Sequence, residues 1–181
     1  MQQTLLALAA VLAFSIFALT RHEDDAALER RSVSAHVERA AENLARARLS
    51  EISRLAFDEA DIGTDRIRRT PSAVPLGADT GEAAPADFDD VDDAMSHDAV
   101  VGTPDIRAVP VGSGTIELRV EVSARYVDPA DPGTPSAVPT LAKEVAVRVT
   151  EVLAPGQTTG RMPVEATVRA VFTPSAMTVG V

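Results

Sequence analysis

The sequence predicts an α+β protein: a long N-terminal α-helix packed on a small antiparallel β-sheet of three to four strands. Three observations carry this expectation. Residues 1–62 contain neither Gly nor Pro, the two residues that most disfavour a helix interior. Three later stretches alternate apolar and polar side chains with the period of two that marks a half-buried strand. The connectors between those stretches are turn-rich and too short for helical crossovers, so neighbouring strands run antiparallel.

The helix opens on an uncharged run from Thr4 to Leu19, about 16 residues long. A perpendicular membrane span needs about 20. Leu5, Leu6, Leu8, Val11, Leu12, Phe14, Ile16, Phe17 and Leu19 form its apolar surface and are the expected membrane or filament-core residues. The run reads as an anchor rather than a cleaved signal peptide. Met1-Gln2-Gln3-Thr4 has no basic side chain, and Ala18-Leu19-Thr20 is a poor small-x-small cleavage site. Arg21-His22-Glu23-Asp24-Asp25 brings no basic cluster after it, which places the N-terminus on the cytoplasmic side and the rest outside.

From residue 21 to 62 the helix is expected to continue as an amphipathic one. Leu28, Val33, Val37, Ala40, Leu44, Ala47, Leu49, Ile52 and Ala56 recur at three- and four-residue steps, on one face. Val33, Val37, Leu44 and Ile52 are the expected contacts with the sheet. Gly63 is the expected stop. A continuous helix of this length would reach roughly 85–90 Å, far beyond what a compact domain of this size can cover. Its partners are therefore expected to be a membrane and other copies of the chain.

Residues 63–114 read as an acidic, Pro- and Gly-rich loop region. Within it, Ala86-Asp87-Phe88-Asp89-Asp90-Val91-Asp92-Asp93 has two readings. Asp87, Asp89, Asp90, Asp92 and Asp93 offer the hard oxygen ligands of a Ca²⁺ site, though without the spacing of an EF-hand. The preferred reading is structural: Phe88 and Val91 turn into the core, and the acids stay in water.

The sheet region is 115–181. Ile116, Leu118, Val120, Val122, Ala124 and Tyr126 share one face of the first strand. Val145, Val147 and Val149 share one face of the second, over Lys143 to Val152. Val164, Ala166, Val168, Ala170 and Phe172 share one face of the third. Residues 100–111 are expected to add an edge strand. Glu and Arg on the polar face should pair across strands at about 0.2–1 kcal/mol each.

Composition narrows the function classes. The net charge of -10 opposes nucleic-acid binding. No Cys is present, which excludes disulfides and thiolate chemistry. His22, His36 and His97 stand far apart, without metal-ligand spacing, and no Gly-rich phosphate loop or nucleophile–base pattern stands out. The expectation is a non-enzyme without a cofactor. Of the basic residues only Lys143 is lysine, which reads as a genomic bias.

An apolar helix running unbroken into an amphipathic one, followed by a small sheet, resembles type IV pilins and pseudopilins over residues 1–60. The string Asp89-Asp90-Val91-Asp92-Asp93, between helix and sheet, is similar to a segment of minor pilins of the mannose-sensitive haemagglutinin type. Their aromatic-and-Gly continuation is replaced here by Ala94-Met95-Ser96-His97. The resemblance implies a structural subunit of an extracellular type IV pilus-like filament. It would be held in the inner membrane before assembly and handled by pilus assembly machinery. The family's Glu at the fifth mature position is Leu5 here, so its pairing with a neighbour's N-terminal amine does not carry over. The alternative is a single-pass membrane-anchored periplasmic scaffold or binding domain, or a minor pseudopilin of a secretion system. A secreted β-domain beginning near Arg21 is the third reading.

Overall fold

The computed structural model describes residues 2–58, 70–71, 75–112, 114–153 and 162–174. It is α+β, as the sequence predicts. Helix α1 spans Gln2–Ile52 without interruption, about 76 Å of helix. The strands are β1 (Asp105–Val111), β2 (Gly114–Asp128), β3 (Asp131–Pro135), β4 (Lys143–Val152) and β5 (Glu165–Phe172). A 3₁₀ turn at Asp93–Ser96 and the short helix α2 (His97–Val101) precede β1. Gly102 ends α2 in the left-handed conformation that only Gly adopts freely, at φ 76°, and its N–H donates to the Asp98 carbonyl.

The sheet order is β1-β2-β4-β5, every pair antiparallel, with β3 pairing the far end of β2. The meander places one apolar face against the second half of α1, which packs mainly on β4 and β5 and touches β1. The core joins Val37, Ala41, Ala45 and Ile52 of the helix to Leu118 and Val120, Val145, Val147 and Val149, and Val164 and Ala166 of the sheet. The polar face carries the expected ion pairs: Arg125 to Glu144 at 2.9 Å, and Arg148 to Glu165 at 2.8 Å.

Four expectations need correction. The sheet has five strands, because residues 131–135 return along β2 where the Pro-rich sequence predicts only a connector. Val100 and Val101 lie in α2, so the edge strand begins only at Asp105. The helix ends ten residues before the expected Ile62. Backbone demand is the reason: the Ala56 N–H donates to the Asp89 carbonyl, and the Ala56 carbonyl accepts from the Val91 N–H, a one-residue parallel bridge that a helix could not make. The expected stop at Gly63 lies outside the described residues. Val33, a predicted sheet contact, is 41% exposed; Val37 and Ile52 are fully buried as expected, and Leu44 is half-buried. The buried line follows four-residue steps through Val37, Ala41 and Ala45, and Val33 is not part of the core.

Candidate functional site

Two features are candidates: the surface of the uncovered first half of α1, and a buried charge cluster at its C-terminal end. Leu5, Leu6 and Leu8 belong to α1, but their side chains lie outside the described set. Val11, Leu12, Phe14, Ile16, Phe17 and Leu19 are 58–71% exposed, on every side of the helix. Leu28 is exposed as well. The cause is geometric. The strands are at most 15 residues long and cross only the second half of a 51-residue helix, so among the described residues nothing covers the first half. A contiguous apolar surface of this kind is the mark of an interaction site. Among the described residues no helix is long and apolar enough to cross a membrane.

The charge cluster is built around the chain's one lysine. Lys143 opens β4 on the inward register of Val145, Val147 and Val149, so its side chain is carried under the sheet and is 1% exposed. There its ammonium contacts the Asp92 carboxylate, donates to the Phe57 carbonyl at 2.8 Å, and lies 3.5 Å from Asp58 and 3.9 Å from Asp90. The ring of Phe57 sits 4.9 Å away and that of Tyr126 5.9 Å, so the cation also meets aromatic faces. One side chain thus ties three separated segments: the turn after α1, the acidic run, and the sheet.

The acidic run is folded on its own carboxylates. Asp90 accepts from the N–H groups of Asp92 and Asp93, and Asp93 accepts from those of Asp89 and Asp90. The second Asp92 oxygen accepts from the Gly77 N–H at 2.8 Å. Gly77 has φ 107°, and a side chain there would press into Ser96 Oγ, so this approach requires glycine. Burial pushes the Asp90 carboxyl up to about 8, with the Asp92 charge adding to it and the Lys143 ammonium opposing. Burial likewise raises Asp93 to about 6 against its backbone hydrogen bonds, with Glu82 nearby. Burial alone would lower Lys143. The hydrogen bond to Asp92 and the charges of Asp92, Asp90 and Asp58 outweigh it and hold the ammonium above its usual range. A permanently charged ammonium in a closed site serves as a tie, not as a nucleophile.

Phe88 and Val91 are buried, as the structural reading of the run expects. The acids are not all in water, however: Asp90, Asp92 and Asp93 are buried, and only Asp87 and Asp89 are exposed. The five aspartates named as a Ca²⁺ set do not converge. Asp90 and Asp92 face Lys143, Asp87 accepts from the Ala84 N–H, and Asp89 and Asp93 approach Glu82. The tie through Lys143 escaped the sequence reading, although its signal was present: the one lysine in an arginine-rich chain, placed in phase with three inward valines.

The fold and these features define a class: an antiparallel-sheet protein with one long N-terminal helix, whose second half packs on the sheet and whose C-terminal end is tied to it by a buried lysine. No family model, characterised protein or solved structure matches the chain.

Proposed function

We propose that this chain is a structural subunit of a type IV pilus-like filament, assembling through bundled N-terminal helices. The observation that carries this reading is the ring of exposed large apolar side chains from Val11 to Leu19 on a helix whose other half is fastened to a sheet. Such a surface is satisfied by lipid or by equally apolar neighbours. The uncharged run is a few residues short of a full span, which favours leaving lipid for a bundle. In this reading the sheet's charged face and the acidic surface remain in water outside the bundle.

The test is electron microscopy of material sheared from cells, with mass spectrometry of the same sample. Filaments containing this chain are the expected result. Recovery only in the membrane fraction would replace the filament reading with an anchored periplasmic scaffold. A soluble chain beginning near Arg21 would end both.

A further inference from the structure

Immediately after the apolar run, residues 21–31 of α1 carry seven charges, all exposed. At about 100° per residue these charges sort onto two opposite sides of the helix. Glu23, Asp24, Arg30 and Arg31 lie on one side. Arg21, Asp25 and Glu29 lie on the other, about half a turn round. Along the axis the first side reads acid then base, and the second reads base then acid. Among the described residues none of the seven forms an ion pair within its own chain. Arg21 rests over the Phe17 ring at 5.4 Å, and Arg30 Nε donates to the Ala26 carbonyl at 3.1 Å; each guanidinium carries five N–H donors, more than these contacts use.

We propose that parallel copies of this helix lock side by side through these two charged sides, each copy offset from the next along the axis by about three residues, roughly 4–5 Å. The inference rests on the filament reading and assigns its register. On the first side the acids and bases are centred about seven residues apart; on the second, Arg21 and the Asp25/Glu29 pair are about six apart. With a three-residue offset, Arg30 and Arg31 of one copy stand level with Asp25 and Glu29 of the next. In the same register Glu23 and Asp24 stand level with that neighbour's Arg21. Parallel alignment is required on two counts. Apposing the two different sides in antiparallel fashion sets acid on acid and base on base. Antiparallel packing also removes Val11–Leu19 of each copy from the same segment of its neighbour and sets it against the charged stretch near the sheet. Because the mating sides differ, the contact is heterologous, and contacts of that kind propagate into rings or open helical polymers rather than closing as dimers.

The test uses the full chain, purified in detergent and assembled by detergent removal, with pelleted fraction and electron microscopy as readouts. R30E/R31E and D25R/E29R should each lower the polymer by roughly tenfold or more, equivalent to about 1.4 kcal/mol per contact. The quadruple variant, with one side wholly acidic and the other wholly basic, should restore it. So should an equimolar mixture of the two double variants. All of these residues lie outside the sheet contacts, so circular dichroism and thermal midpoint should not change. Normal assembly by both double variants would overturn the register while leaving the bundling intact. Loss only in R30E/R31E would point to one self-paired side and also overturn it. No polymer from the unaltered chain would overturn the filament reading itself.

Discussion

Lys143 is where a single substitution should matter most. Lys143→Met removes the ammonium that lies against the buried carboxyl groups of Asp58, Asp90 and Asp92. Breaking a buried pair from one side costs about 3–5 kcal/mol, a large part of a domain's net stability. Denaturant unfolding should show that loss, and adding Asp92→Asn should recover part of it; an unchanged midpoint would refute the tie. The raised carboxyl of Asp90 sets a pH dependence of definite sign. Its folded value, about 8, lies above the unfolded value near 4, so the folded state holds the proton that the unfolded state releases. That contribution is complete below about pH 4 and is lost as pH rises through 8. The thermal midpoint should therefore be higher at pH 5 than at pH 8, and Asp90→Asn should flatten the difference. At this scale the sequence was only partly legible. Phe88 and Val91 could be placed inside by their apolar character, but a run of aspartates looks solvated until its counter-ion, some 50 residues away, is known.

The helix packs through small side chains. Ala41 and Ala45 are fully buried against the sheet, while Val33 and Leu28 are exposed. Ile52→Ala should cost about 2–5 kcal/mol, as a large-to-small change in a core does. Val33→Ala should stay within about 0.5 kcal/mol. Ala45→Leu should overpack the helix–sheet seam and cost about 1–3 kcal/mol. Urea melts of the three variants give the order directly, and a larger loss at Val33 than at Ile52 would contradict the packing. The sequence stripe ran through Val33, Ala40 and Ala47, whereas the buried line runs through Val37, Ala41 and Ala45, because in an alanine-rich helix neighbouring alanines fit the apolar period about equally well. The strands were legible because alternation survives in a half-buried sheet. β3 was not, since Asp131–Pro135 is wholly exposed and has no inward face to alternate. The end of α1 was hidden for another reason: the segment after Ile52 favours helix locally, and a distant strand-like segment claims the Ala56 backbone.

At the scale of the molecule, stability and assembly reside in different halves. Every core residue of α1 lies at or beyond Val37. A chain beginning at Ala26 should therefore unfold with the same thermal midpoint as the full chain and remain monomeric by sedimentation. The full chain should associate unless detergent covers residues 11–19. A lower midpoint in the shortened chain would show that the first half contributes to the fold. The division also explains why overall architecture was legible before the structure was known. Sixty-two residues without Gly or Pro announce a long helix, and three alternating stretches with short connectors announce a meander. What joins the two is written in residues scattered from 57 to 143, which no local pattern relates.

Every basic side chain other than Lys143 is arginine, so the chain owns a single ε-amine, and the fold encloses it. Acylating reagents therefore meet that amine only when the sheet, the acidic run and the turn after the helix have come apart. In a timed exposure that labels Lys143 completely in the denatured chain, the native chain should show none at that residue by peptide mass spectrometry. The slow appearance of label would then count openings of the native state one by one, giving a chemical clock for the fold without any introduced reporter. Rapid labelling of the native chain would contradict the enclosure.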